Sequence, residues 1–141
     1  MATIYHQYRI RSSVEKVFSA ITKPEEYINW WPNKCSGIPL IGNDYNFYFT
    51  DEYNWHAVIA RMEEPNLIEF KMTKSDLDWE PTSFGFELEK AGDNVVVNFY
   101  HKDWLVESNH FKIASFCWAM LLNGLKNYVE RGIVVPFKER S

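Results

Sequence analysis

The chain has 141 residues, 46% of them apolar, which is enough for one substantial core. Against 19 acidic residues it carries 15 Lys and Arg; the net charge of −4 gives no general attraction to phosphate backbones and argues against nucleic acid as a partner. Two cysteines exclude a secreted disulfide framework, MATIYHQYRI does not read as a signal peptide, and no apolar run approaches the ~20 residues of a membrane span. A single cytoplasmic domain over 1–141, with no stable membrane association, is expected.

Thr3 to Ile10 is rich in β-branched and aromatic residues and predicts an opening strand with Ile4, His6, Tyr8 and Ile10 on one face. The period then changes. Ser12-Ser13-Val14-Glu15 reads as a capping box pairing Ser12 with Glu15, and Val14, Val17, Phe18 and Ile21 follow at helical steps. Thr22-Lys23-Pro24-Glu25 repeats the device and starts a second short helix through Tyr27, Ile28 and Trp30, which Pro32 stops.

From Ser36 onward the pattern is β. A short strand is expected at Ile38 to Ile41. Gly42-Asn43-Asp44 turns into Tyr45 to Thr50, where Tyr45, Phe47 and Phe49 alternate with polar positions and with Tyr48. Trp55 to Met62 and Leu67 to Thr73 follow, joined by the turn-rich Glu63-Glu64-Pro65-Asn66. A loop at Asp76-Leu77-Asp78 leads to Ser83 to Lys90, and Ala91-Gly92-Asp93 closes a hairpin onto Asn94 to Lys102. The connections are short, so neighbours in sequence are expected to pair antiparallel.

Asn109 to Arg131 is the longest element. Phe111, Ala114, Trp118, Leu121, Leu125 and Tyr128 recur at helical steps, and Ile113, Cys117, Met120 and Leu122 widen the apolar arc, which suits a helix sunk into a curved sheet. Ser108 can cap its start and Gly132 can end it. Gly124 inside the run predicts a close backbone approach. Val134-Val135-Pro136-Phe137 is a short tail that either lies back on the body through Phe137 or hangs free.

This α+β order, β-α-α-β6-α, together with the Val14-Glu15-Lys16-Val17-Phe18 helix, the Trp30-Trp31 pair and the aromatic closing helix, resembles the START-like or SRPBCC helix-grip superfamily. Within it the chain is most similar to bacterial homologues of the C-terminal domain of the activator of heat-shock-protein ATPase. The resemblance implies a seven-stranded curved antiparallel sheet around the C-terminal helix, with a hydrophobic cavity between them. It also implies lipid, hormone or polyketide binding, and in some members cyclase activity. The eukaryotic activator has a separate N-terminal docking domain for which 141 residues leave no room.

The 6 Trp, 8 Tyr and 10 Phe exceed what simple core filling needs and suggest an aromatic wall around a small-molecule ligand. The expected lining is Tyr45, Phe47, Phe49, Trp55, Phe84 and Phe86 from the strands and Phe111, Trp118 and Leu122 from the helix. Arg61 shares a strand face with Trp55, Ala57 and Ile59 and is either a cavity cation for a carboxylate or a surface partner of Glu69. Trp79 and Trp104 are expected at a mouth or a partner surface.

His6, Cys35, His56, His101, His110 and Cys117 show no zinc spacing, and Glu107-x-x-His110 is only half of a di-iron pattern, so no metal or cofactor is expected. There is no nucleophile elbow and no phosphate-binding glycine loop. The leading function is therefore a binding module for a hydrophobic or amphipathic small molecule. The alternatives are a cavity enzyme, of cyclase or hydrolase type, using His56 or His101 as acid or base, and a chaperone-ATPase regulator with a protein partner at the Trp30-Trp31 corner or the tail.

Overall fold

The structure is a computed structural model and describes residues 1–140. Seven strands, β1 (Ala2–Ile10), β2 (Lys34–Gly37), β3 (Asp44–Tyr48), β4 (Asn54–Glu63), β5 (Leu67–Lys74), β6 (Ser83–Ala91) and β7 (Asn94–Trp104), form one sheet in the order β1-β7-β6-β5-β4-β3-β2. Every pairing is antiparallel. Two short helices, α1 (Val14–Ala20) and α2 (Pro24–Tyr27), fill the crossover from β1 to the far edge, and α3 (Asn109–Arg131) lies along the concave face.

The alternation read from sequence sets which side of each strand is buried. Tyr45 and Phe47 on β3, Phe84 and Phe86 on β6, and Val95, Val97 and Phe99 on β7 all point to the concave side and are buried beneath the α1–α2 corner and α3, which contributes Ala114, Trp118, Leu121, Leu122, Leu125 and Val129. Polar links fix the helix against the sheet and α2. The His6 ring meets the Ser115 carbonyl at 3.1 Å, and the Tyr128 hydroxyl donates to Glu26 at 2.9 Å while accepting from Asn29 at 3.0 Å. Lys126 donates to the Arg9 carbonyl at 2.8 Å and to Glu130 at 2.6 Å, and Glu130 accepts from the Arg11 amide at 2.7 Å.

The α1–α2 corner is held by aromatic donors. The carbonyls of Ala20, Ile21 and Thr22 have no partner within a helix that ends there, and they accept from Trp30 Nε1 at 3.0 Å, the Tyr27 hydroxyl at 2.5 Å and the Tyr45 hydroxyl at 2.6 Å. Burial pushes the Tyr27 and Tyr45 hydroxyls well above the ordinary phenol range, so both remain donors at neutral pH.

Four local expectations change. The expected strand at Ile38 to Ile41 is a loop whose Ile38, Leu40 and Ile41 are exposed, while the strand lies at Lys34–Gly37; Pro39 has no N–H to give to a ladder. The α1 cap is Ser13, whose hydroxyl accepts from Lys16 N, not Ser12. Lys23 precedes α2 without a side-chain cap, and the Thr22 hydroxyl is buried with no partner among the described residues. At Gly124 an added Cβ would meet nothing within 4 Å among the described residues, so no other strand or helix of theirs approaches it. Ser108 and Gly132 cap α3 as expected, the glycine at φ 68°.

Candidate functional site

One end of the concave face is open. Between the N-terminal half of α3, the β3–β4 hairpin, the loop before β6 and the C-terminal tail lies a cleft of about 470 Å³. Its walls carry seven Phe, Tyr and Trp rings: Trp31 at the exit of α2, Phe49, Tyr53 and Trp55 of the hairpin, Trp79 of the loop, Trp118 of α3 and Phe137 of the tail. Ile113, Ala114, Cys117 and Leu121 complete the α3 side, one helical face repeated over successive turns.

Trp118 is the centre of this wall. Its ring lies 4.4 Å from Phe99, 4.9 Å from Trp31, 5.6 Å from Phe84 and 6.1 Å from Trp79. Its indole Nε1 donates to His101 Nδ1 at 3.0 Å, and His101 Nε2 lies 2.8 Å from Thr82 Oγ1, which itself donates to the Trp79 carbonyl at 2.6 Å. An indole N–H can only donate, so His101 Nδ1 must be unprotonated and its proton sits on Nε2. The imidazole is neutral, its pKa pushed down to about 3 by burial and then by the charge of His110. His101 is thus a fixed strut that aims Trp118 and Trp79.

The rim carries the polar groups. His110 Nδ1 lies 2.6 Å from Asp78 Oδ2. Asp76 lines the same edge, and burial holds its carboxyl above the usual carboxylate range; the charge of His110 opposes that shift while Asp78 and Glu52 add to it. Opposite stand Lys138 and Arg140 of the tail. Arg140 donates to the carbonyls of Val135, Pro32 and Trp31 at 2.9, 3.1 and 3.4 Å, which folds the tail back so that Phe137 forms part of the cleft wall.

Of the residues expected to line a cavity, Phe49, Trp55 and Trp118 border the cleft. Tyr45, Phe47, Phe84 and Phe86 are wholly buried behind it, with Phe47 and Phe84 backing Trp31 at 4.9 and 5.3 Å. Leu122 is buried under α3, and Phe111 is half-buried against Trp104 at 5.4 Å. Arg61 stands on the convex face, where a register shift between Ile59 and Arg61 turns it away from Trp55; it lies 3.6 Å from Glu69, beside Lys102 and the Tyr100 hydroxyl.

Trp79 is a back wall rather than an exposed lip, and Trp104 is buried against it at 5.9 Å. His56 is bound to Asp44 at 2.9 Å on the outer side of the β3–β4 hairpin. Trp31, Tyr53, Asp76 and His110 join the site only through tertiary structure, although the steps His110, Ala114, Trp118 along α3 were a readable sign that this histidine shares the tryptophan's face.

A seven-stranded antiparallel sheet curved around a C-terminal helix places the molecule in the START-like helix-grip class. The chain belongs to the family of activator of Hsp90 ATPase homolog 1-like proteins, whose model matches residues 11–130. Among solved structures it is similar to the Aha1 dimer of Colwellia psychrerythraea, at 25% identity and a TM-score of 0.85 over 94% of this chain and 98% of that one. Protein SSP2350 of Staphylococcus saprophyticus shares the fold at 21% identity and a TM-score of 0.81, over 95% and 96% of the two chains. CalU16 of Micromonospora echinospora does so at 19% and 0.73, over 92% and 77%. No curated protein matches.

Proposed function

We propose that this chain binds a hydrophobic or amphipathic small molecule, lipid or flat aromatic, in the cleft beside α3. The observation that carries the reading is an opening of about 470 Å³ walled by aromatic rings, with its few polar groups confined to the rim. That volume falls within the roughly 300–1,000 Å³ typical of small-molecule sites. Phe49, Trp55 and Trp118 touch the guest from the walls, while Tyr45, Phe47, Phe84, Phe86 and Leu122 support them. The protein acts as one domain in the cytoplasm; among the described residues no helix is long and apolar enough to cross a membrane.

Titration with 1-anilinonaphthalene-8-sulfonate, followed by energy transfer from tryptophan, tests this. Trp55→Ala should weaken binding about tenfold, the loss of one large aromatic contact, whereas Tyr5→Ala on the outer face should leave it unchanged. No energy transfer, together with no small molecule retained in native mass spectrometry of protein from its own host, would overturn the reading.

A second reading is a protein-interaction role. It is favoured by Phe116 and Met120 on the outer side of α3 and by Ile133 and Val134 of the tail, all of them exposed. Phe116→Asp would then abolish any stimulation of a cognate chaperone's ATP turnover; an unchanged turnover with and without the wild-type chain would sink it.

A further inference from the structure

His110 and Asp78 form a paired acid and base at the edge of a water-accessible apolar cleft. The second position of α3 puts His110 in line with Ala114 and Trp118, so its ring faces the opening. The ring is packed on its inner side, 6.4 Å from Trp79 and 5.7 Å edge-on from Trp104. Asp78, at 2.6 Å, accepts the Nδ1 proton. This fixes the tautomer and leaves the Nε2 lone pair without a hydrogen bond among the described residues.

The other titratable groups on the cleft are Tyr53, Asp76, Cys117, Lys138 and Arg140. Asp76 lines the same rim and its carboxylate makes no side-chain hydrogen bond among the described residues, Glu52 lies beyond it, and His101 is the neutral strut behind Trp79. Cys117, the one thiol on the cleft, is seven residues further along α3, about two helical turns or ~10 Å from His110, too far to be activated by it. A base with a fixed tautomer, a free carboxyl beside it and no nucleophile in reach is equipped for proton transfer and not for covalent catalysis.

We propose that His110 is a general base acting on a carbon acid held in the cleft, that Asp78 is its positioning residue, and that the substrate class is a flat ketone with an acidic hydrogen next to the carbonyl. The inference rests on the binding reading above. Nε2 takes the proton from the α-carbon, the C–H electron pair becomes the C=C bond, and the carbonyl π pair moves to oxygen. The enolate oxygen is solvated by water at the open side of the cleft, so the only protein proton carrier in the step is Nε2. Return of the Nε2 proton to carbon reverses the step or completes an isomerisation, so nothing is oxidised or reduced.

2-Tetralone, a flat bicyclic ketone, is the probe. Its binding is followed by quenching of tryptophan fluorescence and its enolisation by loss of the α-proton signals in deuterated water. The wild-type chain should accelerate exchange above buffer, and His110→Ala should lose about a hundredfold, with free imidazole restoring part of the rate. Asp78→Asn should lower kcat roughly tenfold at unchanged KM, and Asp78→Glu should recover part of it. His110→Gln, which keeps a polar side chain in the first turn of α3, guards against loss of the fold, checked by far-UV circular dichroism. Quenching with exchange at the buffer rate, or exchange that persists in both His110 variants, overturns the base assignment and leaves the binding reading intact. No quenching by 2-tetralone and no energy transfer to the naphthalene sulfonate overturns both.

Discussion

His101 links one side chain's chemistry to the stability of the whole cleft. Its pKa is pushed down to about 3 in the fold and lies near ~6.5 in an unfolded chain, so the unfolded state binds the extra proton first. The stabilisation is fully present above about pH 6.5 and is lost as pH falls toward 3, on the order of 4 kcal/mol across that window. Denaturant melts at stepped pH should show this slope. His101→Leu should flatten it while lowering stability at neutral pH, because it orphans the buried Trp118 Nε1 and leaves the Thr82 hydroxyl with only its bond to the Trp79 carbonyl. Two glycines separate by the same kind of local reasoning. A Cβ at Gly85 would lie 2.5 Å from the Tyr100 hydroxyl and 2.9 Å from the Ile68 carbonyl, so Gly85→Ala must displace Tyr100 from Glu69 and should cost about 1–3 kcal/mol. Gly124→Ala meets open space on a helix and should stabilise by about 1 kcal/mol, both read from urea midpoints.

The elements were legible wherever a periodic pattern met its own stop signal. The three- and four-residue steps from Phe111 to Tyr128, bounded by Ser108 and Gly132, specify α3, and the alternation of Tyr45 and Phe47 with polar neighbours specifies β3 and its buried side. What periodicity alone could not supply was the register shift after Ile59, which sends Arg61 to the convex side, or the folding back of the tail, which depends on one guanidinium finding three carbonyls. The cleft was harder to read than the sheet for the same reason. Phe49, Trp55 and Trp118 carry an alternating or helical signal, but Trp79, Asp76 and Tyr53 sit in irregular segments whose positions are set by tertiary contacts. At this scale the tail is the element to remove: ending the chain after Gly132 deletes Phe137, Lys138 and Arg140 from the wall. Far-UV circular dichroism should be unchanged, while the naphthalene sulfonate should dissociate faster in stopped flow.

At the scale of the whole molecule, the sheet is a single open layer whose concave face is covered by α3 together with the α1–α2 corner. The aromatic residues behind the cleft are shared between core and site: Trp118 contacts Phe84 and Phe99 on the sheet and also borders the opening. Trp118→Ala should therefore lower stability by about 3–5 kcal/mol and weaken binding together, in contrast to Trp55→Ala at the half-buried margin, which should act on binding first.

The strand order places β1 at one border of the sheet, nine residues long and with no strand on its outer side among the described residues. Such a border is a template onto which another chain can stitch itself. Lys126 and Glu130 reach down from α3 and occupy the Arg9 carbonyl and the Arg11 amide, so the gripping helix also works as a guard against strand-by-strand self-adhesion. Charge removal at these two positions, Lys126→Ala with Glu130→Ala, should be felt less in the melting point than in light scattering on storage, where the unguarded border would let copies accumulate as fibrous or particulate material.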